Sequence, residues 1–131
     1  MALTRPSPRL IAIYDNINTW SAAQRYRIVT LSMNGEDFKF TPNMDVGNDF
    51  LLILHDDCIL ANPINIVPGQ SGVFIIGQDE IGSKGLVFGT FYKWPNGEPP
   101  IISEDPGAFD HVYYHVVSEE RIHCTWMGNF S

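Results

Sequence analysis

The sequence predicts an all-β fold: a single antiparallel β-sandwich or barrel-like domain, jelly-roll-like, carrying an extended N-terminal arm. Three observations predict it. From Tyr26 onward, apolar and polar residues alternate with a period of two and β-branched residues are frequent. Between Gln78 and Gly107, Gly and Pro recur at close spacing with only short apolar groups between them. No segment has the length and periodicity of a long helix.

Taken in order, residues 1–9 hold two prolines and two arginines, which favour an extended arm because Pro fixes φ and biases the residue before it. Residues 10–14 are apolar enough for a short strand, and residues 16–23 read as a loop with room for one capped turn. The chain thus divides into an arm and loop, 1–25, and a β-domain, 26–131. In the first strand Tyr26, Ile28, Thr30 and Ser32 alternate with Arg27, Val29, Leu31 and Met33. Asn34-Gly35 then signals a hairpin, with residues 36–41 returning. Residues 50–54 and 58–60 flank His55-Asp56-Asp57 as a second hairpin, and residues 73–77 supply a further strand.

The last hairpin is the most legible. Val112, Tyr114 and Val116 share one face of its first strand, and Ile122, Cys124 and Trp126 share one face of its second. For both sets to reach one core, Val116 must oppose Ile122, Tyr114 oppose Cys124, and Val112 oppose Trp126. That register leaves Ser118, Glu119 and Glu120 at the tip. It also sets His115 against His123 on the outer face, with His111 on the same side.

Composition narrows the function. The 131 residues carry 8 basic and 15 acidic side chains, net −7, which argues against a nucleic-acid binder. The charge is divided: residues 1–27 hold four arginines against one aspartate, +3, and residues 28–131 hold four basic against fourteen acidic groups, −10. No apolar run is long enough to span a bilayer and no signal-peptide pattern is present, so the chain reads as soluble and made in a cytoplasm. Cys58 and Cys124 fit no metal spacing and read as buried free thiols.

Chemistry-bearing motifs are absent: there is no phosphate loop, nucleophile elbow or His-Glu-x-x-His pattern. His111, His115 and His123 are the best metal candidate, but the alternation excludes them from the core. They read instead as surface or subunit-contact residues, together with Trp94. The carboxylate pairs Asp56-Asp57, Asp79-Glu80, Glu104-Asp105 and Glu119-Glu120 are neighbours in turns, whereas a glycosidase needs two carboxylates facing each other across a cleft. Trp94, Tyr92 and Trp20 are candidates for a sugar-stacking platform, with core or subunit burial the commoner fate. The expectation is no enzyme, no catalytic residue, no metal and no cofactor.

The residues from Asn48 onward nevertheless carry a specific string. Its elements are Leu60-Ala61-Asn62-Pro63, Pro68-Gly69-Gln70-Ser71-Gly72, Gln78-Asp79, Gly82-Ser83, Phe88-Gly89 and Tyr92-Lys93-Trp94. Gly97 with Pro99, Gly107-Ala108-Phe109-Asp110, Tyr113-Tyr114 and Asn129-Phe130 complete it. Over 84 of 131 residues the chain resembles a small β-module of tailed-bacteriophage virion proteins, found in capsid decoration (cement) proteins and fibre tips. Glu98, Trp94 and the His-rich last hairpin depart from the usual pattern.

The resemblance implies a compact β-sandwich that assembles as a homotrimer on the virion, with no catalytic residues. Too few residues precede the module for a fibre shaft, so the expected role is a decoration protein on the outer surface of the phage head, assembled in the bacterial cytoplasm. Its partners would be the major capsid protein and copies of itself, without nucleic acid or membrane. The arm is the expected capsid-binding element, through Arg5, Arg9, Leu10, Ile11, Ile13, Tyr14, Arg25 and Arg27, since an apolar extended segment can add to an exposed sheet edge. The alternative is a receptor-binding fibre tip or tail-associated adhesin.

Overall fold

A computed structural model describes residues 27–131. The expected arm strand at residues 10–14 and the loop at 16–23 lie outside the described residues. Nine strands follow in order: β1 (Ile28–Thr30), β2 (Lys39–Phe40), β3 (Asp49–Leu54), β4 (Cys58–Leu60), β5 (Ser71–Gln78), β6 (Leu86–Phe88), β7 (Tyr92–Lys93), β8 (Phe109–Ser118) and β9 (Arg121–Phe130). They build a six-stranded sheet, β1-β3-β5-β8-β9-β7, and a three-stranded sheet, β2-β4-β6. The inward residues of both sheets merge in one core, so the all-β sandwich is what the chain adopts.

The pairing within the sandwich differs from the antiparallel pattern expected. β1, β3 and β5 run parallel in one sheet, and β2, β4 and β6 run parallel in the other. The chain therefore winds, each coil laying one strand in each sheet. Parallel neighbours need a long crossover, usually a helix, and here a strand of the opposite sheet serves. The two early hairpins are corrected accordingly. Asn34-Gly35 does make a tight turn, with the Asn34 and Lys39 backbones bonded, but its flanks go to different sheets. Likewise His55-Asp56-Asp57 is a corner between sheets, with β3 on one side and β4 on the other.

Winding puts like residues on top of one another. Val29, Phe50 and Phe74 stand in register across β1, β3 and β5, and Phe40, Leu60 and Phe88 across β2, β4 and β6. The Phe50 and Phe74 rings stack at 5.5 Å, and Phe74 also meets Tyr114 at 4.9 Å and Tyr92 at 5.9 Å. Asparagines hold the corners. Asn43 Oδ1 accepts from Asp45 N–H and from Asn65 Nδ2; Asn62 Oδ1 accepts from Phe91 N–H while its Nδ2 donates to Thr90 Oγ1. Each amide thus satisfies backbone or side-chain groups of the next corner.

β5 joins this coil to the C-terminal hairpin, pairing parallel with β3 and antiparallel with β8. Tyr114 O–H donates to the Asn48 carbonyl at 2.6 Å, and Gln70 Nε2 reaches the Met44 and Gly47 carbonyls and Asn48 Oδ1. The backbone approach is so close that a Cβ on Gly72 would run into the Asn48 carbonyl.

The hairpin register is the one derived from the sequence: Val116 opposes Ile122, Tyr114 opposes Cys124, Val112 opposes Trp126 and His115 opposes His123. Trp126 is the correction. It is 43% exposed, while Val112 opposite is fully buried. An irregularity between Phe109 and His111 shifts the pairing there. The indole lies along its own strand over Gly128, where a Cβ would run into the ring, and its N–H donates to Asp110 Oδ2 at 3.1 Å.

Asp110 is the buried acid that this arrangement serves. It sits in phase with Val112, Tyr114 and Val116 on the inward face and is 1% exposed. Oδ2 also accepts from Ser103 N–H at 2.6 Å, and Oδ1 accepts from Asn129 N–H at 2.8 Å. Burial works against its charge, but the bonds from Asn129, Ser103 and Trp126 outweigh it and hold the carboxyl below its ordinary value. Gln78, in phase with Phe74 and Ile76, does the parallel task for the loops, donating to the Lys84 and Ser103 carbonyls and accepting from Lys84 N–H.

Phe74→Ala should cost about 3–5 kcal/mol in denaturant unfolding, because three rings close on that side chain. Trp126→Ala should cost about 2 kcal/mol, little of it from a void under a half-exposed ring and most from the N–H bond lost to the buried Asp110 carboxylate. Because the folded state lowers the Asp110 pKa, its stabilisation is complete above the ordinary carboxyl range and is lost as pH falls through the lowered value. Asp110→Asn should destabilise the protein at pH 7, since an amide turns a donor toward backbone N–H groups. Its stability between pH 5 and 2 should fall less steeply than that of the parent, as followed by thermal melts.

Candidate functional site

Alternation along the hairpin gives the six-stranded sheet an inner and an outer face, and the outer face is divided. At one end Leu51, Ile75, His111 and Met127 form one row across β3, β5, β8 and β9, and Ile53, Gly77, Phe109 and Phe130 form the row beside it. His111 is half-buried here, its ring against Phe130 at 4.7 Å and its Nδ1 3.0 Å from Tyr113 O–H. At the other end His115, His123 and Lys93 stand side by side on β8, β9 and β7, with Arg121 one step beyond. An antiparallel sandwich usually turns a polar outer face to water. One half of this face is apolar and the other cationic.

The cationic half is concave. Lys93, Trp94, Tyr113, His115, Arg121, His123 and Thr125 line a groove of about 550 Å³. Its geometry comes from β7, which pairs parallel with β9 at the sheet edge and sets Lys93 against His123. Trp94 follows at once and is held by a tight turn, in which Gly97 N–H donates to the Trp94 carbonyl at 2.9 Å and Asn96 takes φ 60°. The indole packs edge-on against Phe88 at 4.7 Å, and Phe88 packs on Tyr92. Arg121 Nε donates to His123 Nε2 at 2.9 Å, which puts the His123 ring proton on Nδ1.

Three of the four sequence-derived contact residues, Trp94, His115 and His123, therefore meet in one groove, while His111 belongs to the apolar half. Of the arm residues, Arg5, Arg9, Leu10, Ile11, Ile13, Tyr14 and Arg25 lie outside the described residues, and Arg27 is exposed just before β1. Of the expected stacking platform, Trp20 lies outside the described residues and the pairing of Trp94 with Tyr92 does not form. Tyr92 is buried, its O–H donates to the Ala61 carbonyl at 2.9 Å, and burial raises its pKa well above the usual value.

The remaining candidates serve the fold. Cys58 and Cys124 are buried free thiols. Burial, then Asp57 and Asp56, push Cys58 up to about 11, and burial pushes Cys124 up to about 12. Thiolates, the reactive form, are thus scarce at neutral pH. Asp57 Oδ1 accepts from Gly85 N–H, joining two corners. Asp79 Oδ1 accepts from Gly82 and Ile81 N–H, and its Oδ2 lies 3.4 Å from His55 Nδ1. The Gly82 bond is the main cause of its lowered pKa. Among the described residues no three His, Cys, Asp or Glu are grouped to hold a metal ion.

Lys93 and Arg121 were not singled out from sequence, because nothing local announces that β7 pairs with β9. Asp110 and Gln78 left a readable signal: each is a polar residue in phase with a buried apolar face. No protein-family model, characterised protein or solved structure matches the chain.

Proposed function

We propose that the protein is a structural component of a tailed-phage particle, a decoration protein that binds the assembled head lattice and stabilises it. The observation that carries this reading is the apolar half of the outer sheet face. Met127 and Phe130 are exposed there beside the half-buried Leu51, Ile53 and Ile75. Exposed apolar side chains gathered on one sheet face suit a contact surface. The rows through His111 and Phe109 carry no Asp, Glu, Lys or Arg. Residues 27–131 hold five basic and fourteen acidic side chains, net −9, so like copies repel over most of their surface and can approach through this half.

The resemblance of residues 48–131 to phage virion modules supports the assignment to a particle, and that stretch supplies β3 to β9. The basic N-terminal segment leads directly into β1, an edge strand of the six-stranded sheet, and offers an acidic lattice the charge that the body lacks. Modest contacts from several copies on one assembly multiply through effective concentration. Selective binding to the expanded lattice stabilises that state by mass action. The cationic groove favours the alternative, a receptor-binding tip, and copy number separates the two.

A quantitative protein gel of purified particles should show hundreds of copies per particle; tens would move the protein to a fibre. Deleting residues 1–14 should leave a folded β-domain that no longer co-sediments with heads, and retained binding would shift the capsid contact into the body. Met127→Glu should convert a trimer into monomers on light scattering with little change in melting temperature. A parent protein that is monomeric at tens of micromolar would remove the self-association face.

A further inference from the structure

We infer that the groove between β7 and the β8–β9 hairpin binds the carboxylate of an acidic saccharide. The inference rests on the groove and is independent of the protein's place in a particle. Of the five Lys and Arg side chains in residues 27–131, two, Lys93 and Arg121, line this groove on a body with fourteen acids. Neither has a carboxylate within 4 Å among the described residues, although Glu119 and Glu120 lie next to Arg121 in the chain. What sets these two cations apart from Arg27, Lys39 and Lys84 is that they share one concavity, and charges of one sign gathered in a cleft attract the opposite charge.

The geometry suits a carboxylate in particular. The Arg121 guanidinium is oriented by its Nε bond to His123, and its two terminal NH₂ groups have no hydrogen-bond partner among the described residues. Those two donors form the planar fork that takes both oxygens of a carboxylate. Lys93, beside His123 in the register, supplies a second positive charge.

The rest of the groove suits a sugar ring. Trp94 is fixed by the Pro95–Gly97 turn and by Phe88, so stacking a ring on its free surface costs little ordering. Thr125 and His115 line the floor with hydroxyl and imidazole groups that can meet sugar hydroxyls, beside the ring of Tyr113, whose O–H is turned to His111. A volume of about 550 Å³ fits one or two sugar units.

The test is a two-dimensional NMR titration of the full chain with digalacturonate, sialyllactose and a hyaluronan tetrasaccharide. Galactobiose serves as the neutral control and sodium sulfate as the simple-anion control. At least one acidic probe should shift the Trp94 indole and the amides of Lys93, Arg121 and His123, leaving those of β3 and β4 unmoved. Arg121→Gln and Trp94→Ala, each checked for an unchanged melting temperature, should weaken binding at least fivefold. Trp126→Ala, outside the groove, should leave it unchanged. The inference is overturned if none of the acidic probes shifts these signals, if galactobiose or sulfate matches them in affinity, or if Arg121→Gln binds as the parent does.

Discussion

Phe74 is the point at which the two halves of this molecule are made one. Its strand pairs parallel with β3 and antiparallel with β8, so β5 belongs both to the winding part of the chain and to the hairpin. The ring stacks on Phe50 of the coil, touches Tyr114 of the hairpin and meets Tyr92 of the far edge strand edge-on. Tyr92 in turn packs on Phe88, and Phe88 on Trp94. A continuous series of rings therefore runs from the middle of the core to the wall of the groove. Through Phe88 the orientation of Trp94 at the surface is tied to the packing of the core.

What could be read from the sequence follows from how far apart the interacting residues are. β8 and β9 are joined by a two-residue tip, and alternation sets the register of their central pairs, from Val112–Trp126 to Val116–Ile122. An irregularity between Val116 and Ser118 then pairs Ser118 with Arg121 and leaves Glu119-Glu120 as the tip in place of the three residues expected. The winding of β1 to β6 was not legible, because each parallel pair is separated by a whole coil and no residue near Asn34 or Asp56 reports which sheet the next strand will join. The stacked triplets Val29–Phe50–Phe74 and Phe40–Leu60–Phe88 are a repeat, but their unequal spacing conceals it. Trp126 defeats the alternation for a specific reason: the buried carboxylate of Asp110 draws the indole N–H toward itself, and Gly128 leaves room for the ring.

The candidate site shows the same division. Alternation alone put His111, His115 and His123 on the outer face. It took the parallel β7–β9 pair to add Lys93 and Trp94 to them and to separate His111 from the other two. The outer face acquires two characters in this way. Its apolar half offers area without charge, and its cationic half offers directed donors on an acidic body, so one sheet can serve two kinds of contact without competition between them.

The place of β5 in the middle of the larger sheet also sets an order of events in time. The coils are made first, but their exposed parallel edge is covered only by β8, which follows about thirty residues later in the chain. Until β8 arrives, the hydrogen-bonding edge of β5 opposite β3 has no partner strand. Local hairpins close in microseconds, whereas distant parallel pairs must wait for loop closure. Loop-closure entropy therefore favours the C-terminal hairpin as the first pairing to close, ahead of the parallel pairs that join β5 to β3 and β3 to β1. That ordering leaves β1, the short edge strand that adjoins the basic segment, held from one side only, by β3.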